Sequence, residues 1–314
     1  MIAAALVMVG VVKVADLGLT AAERRAHPAP GMLVDVGGRR MHVLVAGSGG
    51  PTIVLLPGLG TPSPVYDFEP LTEELSTWAT VAVVEPFGYG WSDTTNTSMR
   101  PAEVASDLRA ALAGAGVAGP YVLMGHSLGG LYVQAFADHY PGDTSAVVGI
   151  DPTMPRVVDD ISRTTDVDPF ADPIPWYLEA LAWGGWVRVI QPFAPDLVLG
   201  DAAAAGYSAE NLAAQRMIAN WTVLRGNMVT QARSLKVAIE DVRSLRFRPN
   251  TPVLVFTADP TGGPPAQGAD VVAAYSQDSA CTRGVRLVAG HYLHHTESER
   301  LSKETRDFLA DCGR

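Results

Sequence analysis

Short, nearly unbroken apolar runs punctuate the first half of the chain: Thr52 to Leu56, Val81 to Glu85, Tyr121 to Met124 and Ala146 to Ile150. A run of this length without polar alternation predicts a strand buried on both faces of a parallel sheet. Two earlier runs, Met32 to Val36 and Met41 to Ala46, flank Gly37 and Gly38, which is a hairpin signal. Helical spacing fills the gaps over Asp67 to Thr77, Pro101 to Ala115 and Leu128 to Tyr140, and Pro101 suits the first helical position. Strand and helix in alternation predict an α/β fold with right-handed crossovers.

After Asp151 the alternation stops for about a hundred residues, and helical patterns such as Ala209 to Leu224 and Met228 to Val242 take over. This stretch holds Trp176, Trp183, Trp186 and Trp221. Strand-like runs resume at Val253 to Thr257 and Val285 to Ala289, followed by helical periodicity to Asp311. Because the sheet pattern returns, the expected organisation is one α/β core, residues 31–151 and 251–314, interrupted by a helical lid, residues 152–250.

The first segment, residues 1–30, is set apart. Met1 to Val12 carries no charge before Lys13, too short to cross a bilayer alone, which takes about 20 apolar residues. It reads either as part of a membrane anchor or as a helix packed on the body, with a linker near residues 20–31, where Pro28, Pro30 and Gly31 break the pattern.

With 33 acidic and 23 basic residues the formal charge is −10, which repels phosphate backbones and excludes nucleic acid as an expected partner. Cys281 and Cys312 fall at the same end of the expected last strand and helix. They are either a disulfide suited to an exported protein or two free thiols, and their number establishes no framework.

The sharpest chemical signal is Gly125-His126-Ser127-Leu128-Gly129, set between an apolar strand and a helix. A nucleophile on a tight strand-to-helix turn needs small residues two before and two after it, because neighbouring elements approach its strained backbone. Ser127 would then stand at the helix N-terminus, where the N–H of Leu128 can stabilise an oxyanion.

These residues, with Gly31-Met32-Leu33-Val34-Asp35-Val36-Gly37-Gly38 to Met41-His42, Leu56-Pro57-Gly58-Leu59-Gly60 and Gly88-Tyr89-Gly90-Trp91-Ser92-Asp93, make the chain resemble the α/β-hydrolase superfamily over residues 31–314. Within it, the resemblance is to a bacterial esterase-like subgroup that often carries an N-terminal membrane segment. It implies a mostly parallel eight-stranded sheet flanked by helices, and a membrane-associated or extracytoplasmic location. It also implies a Ser-Asp-His order, with His291 after the last strand as base and Asp259 after the preceding strand as the acid. Asp151, after the strand ending at Ile150, is the rival acid. Where many relatives have His-Gly, this chain has Pro57-Gly58, so Leu59 supplies the second oxyanion N–H. Relatives that open epoxides or remove halides use Asp at the position of Ser127.

The remaining histidines have blander expectations. His126 should project away from Ser127 as a structural or pocket-lining residue, and His27, His42 and His139 have no chemical context. His294 and His295 lie close to His291, but no Asp, Glu or Cys cluster accompanies them in sequence, so no metal is expected. Tyr89 and Trp91 belong to a loop at the cleft rim, as lining or as packing.

The expected function is cleavage of a carboxylic ester of a small or medium apolar molecule through an acyl-enzyme, without a cofactor. Amide, lactone, thioester or carbon–carbon hydrolysis would use the same residues, and a non-catalytic ligand-binding protein is the reading from a different class. Possible membrane association rests on the N-terminal segment.

Overall fold

The computed structural model describes residues 2–155, 159, 174–194, 207–260, 268–276 and 279–312. Eight strands form one sheet in the order β1-β2-β4-β3-β5-β6-β7-β8. They are β1 Met32–Val36, β2 Arg39–Ala46, β3 Thr52–Leu56, β4 Thr80–Glu85, β5 Tyr121–His126, β6 Thr144–Ile150, β7 Val253–Ala258 and β8 Thr282–Leu287. β2 runs antiparallel to β1 and β4, and the other neighbours are parallel. The Gly37-Gly38 hairpin is present, and both glycines have positive φ.

The central strands are apolar on both faces because both are covered. In β3, Val54 and Leu56 join one core cluster while Ile53 and Leu55 join the other, the two-residue period of a pleated strand. The first cluster lies under α4 (Pro101–Gly114) and α5 (Gly129–His139). The second lies under α3 (Glu69–Ser76) and the last helix, α13 (Ser298–Cys312).

Three expected elements shift. The helix expected over Asp67 to Thr77 is two pieces, α2 (Pro64–Asp67) and α3, broken at Phe68. β8 runs Thr282–Leu287 rather than Val285 to Ala289; among the described strands it is the edge, bonded to β7, and of its residues Leu287 alone is buried, so its apolar run was too short to place it. Between β6 and β7 the described chain is helical: α6 Trp176–Trp183, α7 Trp186–Ile190, α8 Ala209–Thr222, α9 Gly226–Arg233 and α10 Leu235–Val242. Ser234 separates α9 from α10, where one helix was expected. The expected lid also includes residues 156–158, 160–173 and 195–206, which lie outside the described residues. Short helices α11 (Gly268–Ser276) and α12 (Leu293–Thr296) complete the set described.

Helix α1 spans Ile2–Ala26, well past the apolar run, so the expected linker contracts to the few residues before β1. Its second half docks on the helical insertion. Asp16, 1% exposed, accepts from Arg188 and Arg225, and Glu23 pairs with Arg188 and accepts from Trp221 Nε1 at 2.8 Å. Lys13 lies over the Trp183 ring. Among the described residues no helix is long and apolar enough to cross a membrane.

Cys281, just before β8, and Cys312, the last residue of α13, form a disulfide with Cα atoms 6.0 Å apart. It closes a loop of 31 residues, worth about 3 to 4 kcal/mol on loop-closure grounds.

Candidate active site

Ser127 sits at the carboxyl end of β5 with φ of 49°, a conformation that costs a non-glycine residue energy and is kept only where surrounding bonds enforce it. Its N–H donates to Ile150 O at 3.1 Å, and its carbonyl accepts from Gly130 N and Thr153 N, both at 2.9 Å. The small residues are obligatory. A β-carbon on Gly129 would stand 2.6 Å from Leu56 O, and one on Gly125 would stand 2.7 Å from the Gly129 backbone.

One strand over, Asp151 follows β6 with φ of 42°, its N–H held by Phe256 O at 2.8 Å. Its Oδ1 accepts from Ala258 N at 3.1 Å, which leaves Oδ2 for His291 Nδ1, at 2.6 Å. This corrects the expected acid. Asp259 instead pairs with Arg286 on β8, and its N–H is taken by Leu287 O. The physical reason is that the Arg286 guanidinium claims the Asp259 carboxylate, although β7 lies beside β8, while Asp151, at the end of the strand next to the serine's, keeps an oxygen for the imidazole. The Asp151 contact requires a proton on His291 Nδ1, so Nε2 is the basic nitrogen. The His291 side chain is 46% exposed and Ser127 is half-buried, so both can be reached from outside. Among the described residues, none hydrogen-bonds the Ser127 hydroxyl, a contact that in many such sites tightens only with substrate.

The loop carrying Leu59 approaches Ser127 because Gly58 allows it. A β-carbon there would lie 2.9 Å from His126 Nδ1 and 3.1 Å from Ser127 Cβ. Among the described residues the N–H groups of Leu59 and Leu128 have no acceptor. The Leu59 side chain packs beneath the insertion, against one cluster with Ile174 and Val229 and another with Val223 and Met228.

Buried polar groups tie the site to its surroundings. Tyr89 donates to Gln231 Oε1 at 2.5 Å, and Gln231 donates to Tyr132 at 2.9 Å, joining α9 to the core. Burial pushes the Tyr89 and Tyr132 phenols up, so both stay neutral. Trp91 is packing rather than lining: it meets Ile218 and Trp221, and its Nε1 donates to His27 O.

Three arrangements were not foreseen. Glu85, fully buried, accepts from His42 Nδ1 at 3.0 Å, Ser63 Oγ at 2.7 Å and Trp91 N at 2.8 Å, while His42 Nε2 accepts from Gly31 N. A charged residue closing an apolar strand was the available signal. Second, Asp67 accepts from His294 Nε2 and His295 Nε2, both at 2.8 Å, with all three residues buried. The acid missing from the sequence neighbourhood of this pair is thus supplied from α2, and the donor set of a metal site comes together. Both carboxylate oxygens are engaged by N–H donors, so the set as it stands is a closed hydrogen-bonded knot. Burial pushes the Asp67 carboxyl up, but the two imidazoles outweigh it and hold it well below the usual range, while burial lowers His294 against the pull of Asp67. Third, the His126 ring lies between His291, Tyr292 and His294, with centroids 4.7, 5.0 and 4.6 Å away.

A mostly parallel eight-stranded sheet with a strained serine after β5, a carboxylate after β6 and its imidazole partner after β8 defines an α/β-hydrolase architecture. The chain belongs to the alpha/beta hydrolase family, whose model matches residues 53–304. It is 34% identical over 126 residues to the uncharacterized protein YbdG of Bacillus subtilis, covering 40% of this chain and 39% of that one. Over 118 residues it is 36% identical to 2-(acetamidomethylene)succinate hydrolase of Mesorhizobium japonicum, covering 38% of this chain and 41% of that enzyme. The matched stretch therefore spans about two fifths of either relative. Among solved structures, the epoxide hydrolase VrEH1 of Vigna radiata superposes with a TM-score of 0.68 at 21% identity, covering 89% of this chain and 97% of that one. That likeness is one of fold.

Proposed function

We propose that this chain is a serine hydrolase that cleaves a carboxylic ester of a small or medium apolar molecule through an acyl-enzyme. The observation that carries this reading is Ser127 at positive φ beside the Asp151–His291 pair. His291 Nε2 takes the hydroxyl proton as Ser127 Oγ bonds to the acyl carbon, and the N–H groups of Leu59 and Leu128 receive the oxyanion. The imidazolium then gives its proton to the departing alkoxide. Water repeats the sequence to release the acid and restore the serine. Asp151 holds the imidazole in the required tautomer and balances its charge. Apolar residues gathered around Leu59 favour an apolar acyl group, and the helical insertion serves as the lid.

Ser127 also argues against epoxide opening through an ester intermediate on a carboxylate, since a hydroxyl stands where that carboxylate would be. The test is a series of p-nitrophenyl esters of graded chain length beside p-nitroanilides, with covalent labelling by a fluorophosphonate. Ester turnover and labelling, both abolished in Ser127→Ala, are expected. Turnover of anilides alone would favour the amide reading, to which the Mesorhizobium relative's acetamido substrate points. Neither turnover nor labelling would leave a ligand-binding protein.

Membrane association is a second proposal, favoured by one observation. Val7, Met8, Val11 and Val14 on α1 are exposed, as are Trp176, Trp183 and Phe193 on the insertion, where Lys13 meets Trp183. Trp residues beside aliphatic ones suit a lipid interface. Co-sedimentation with phosphatidylcholine vesicles, lost when Val7, Val11 and Val14 are replaced by Asn, is expected; equal sedimentation of both proteins overturns it.

A further inference from the structure

The loop that carries His291 lies between β8 and α12 and has little backbone support of its own. Ala289 N donates to Leu287 O at one end and His295 N donates to Tyr292 O at the other. The His291 carbonyl is held from outside the loop, by His126 Nε2 at 3.2 Å. A carbonyl only accepts, so this contact puts the His126 proton on Nε2 and leaves Nδ1 a bare acceptor. That Nδ1 is buried and has no hydrogen-bond partner among the described residues, pressed toward Gly58.

An orphaned buried acceptor weakens a fold, and an apolar side chain of similar size would fill the space without it. What imidazole adds here is one N–H directed at His291. We propose that His126 is a positioning residue: by holding the His291 carbonyl, it sets where the base's ring stands relative to Ser127. This rests on the proposed Ser127–His291–Asp151 triad. The position is well suited, because His126 is the residue before the nucleophile at the rigid end of β5, so nucleophile and base are referred to the same strand end.

The ring also has to stay uncharged when His291 becomes an imidazolium 4.7 Å away. Burial, and then the neighbouring His294 and His291, hold His126 well below the usual histidine range, against the opposing pull of Asp67. His126 therefore offers its N–H without adding a second cation beside the base.

The experiment measures the second-order rate of fluorophosphonate labelling, and kcat and KM on a p-nitrophenyl ester, for the full chain and for His126→Phe, His126→Leu and His126→Gln. Phe and Leu fill the site without a donor, and the Gln amide restores an N–H at similar reach. Labelling and kcat are expected to fall on the order of 10- to 100-fold in Phe and Leu, the scale of a misplaced catalytic group. KM should stay within about twofold, and Gln should recover most of the loss. Wild-type rates in a folded Phe or Leu variant, or a Gln variant no better than these, overturn the proposal. So does an outcome in which Gln folds and neither apolar variant does, since the N–H then serves the fold. A wild-type chain that does not label at all is a different result: it defeats the triad before any variant is compared.

Discussion

His291 Nδ1 stands 2.6 Å from Asp151 Oδ2, while Asp259, at the end of the next strand, is paired with Arg286. The two carboxylates leave the same edge of the sheet, and their partners separate their roles. Asp151 keeps one oxygen on the Ala258 N–H and turns the other to the imidazole.

Replacing each acid separately tests this division. Asp151→Asn should lower kcat for ester hydrolysis by about four orders of magnitude, the effect of losing the tautomer-setting carboxylate in a serine triad. Asp259→Asn should stay within about tenfold, because its carboxylate pairs with Arg286 while the base is held by Asp151. Steady-state rates on one p-nitrophenyl ester decide it, and the reverse ranking would restore Asp259 as the acid.

Gly129→Ala should damage both stability and reactivity. The new methyl meets the Leu56 and Pro57 carbonyls at 2.6 and 2.9 Å, and backbone of a buried strand end cannot swing away. A loss of about 1 to 3 kcal/mol in urea unfolding is expected, as for an overpacked core, with slower fluorophosphonate labelling as the Leu59 loop is displaced. Gly142→Ala, with no atom of the described residues within 4 Å of the added carbon, is the control and should change stability by no more than about 0.5 kcal/mol.

The Asp67 knot makes a pH-dependent contribution with a definite sign. Its carboxyl is held below the ordinary carboxylate range in the fold, so the stabilisation is fully present above the unfolded value of about 3.9. It is lost as pH falls from there through the depressed folded value. At pH 7, Asp67→Asn should cost about 1 to 3 kcal/mol, since a buried imidazole N–H loses its acceptor. The gap between wild type and variant, read from urea midpoints, should narrow below about pH 4. A gap that is constant or widens in acid contradicts the assignment.

Reducing the Cys281–Cys312 bond should lower the free energy of unfolding by about 3 to 4 kcal/mol. Unfolding in urea with and without a thiol reductant measures it, and Cys312→Ser should reproduce the reduced protein. A null effect would mean that the bond does not form in solution.

How much of this was legible in the chain differs by kind of feature. Buried parallel strands declare themselves because both faces are covered, so β3 and β5 appear as unbroken apolar runs. β8, the edge strand, has one buried position, Leu287, and was misplaced by a few residues. The elbow at Ser127 was equally plain, because its constraint is local: close backbone approach demands Gly125 and Gly129 at fixed spacing.

Pairings across the sheet are of another kind. That Asp151 rather than Asp259 meets His291 goes with Arg286 occupying the alternative and with the path of the loop after β8, neither of which is local. That Asp67 reaches His294 and His295, and Glu85 reaches His42, follows from elements packing together over separations of 43 to 228 positions. Local pattern by itself determined the strands, their alternation with helices and the strained serine turn, since each depends on neighbours along the chain. Only the tertiary structure decided the partners of the buried charges, because hydrogen bonding depends on distance in space, and sequence separation carries no record of it.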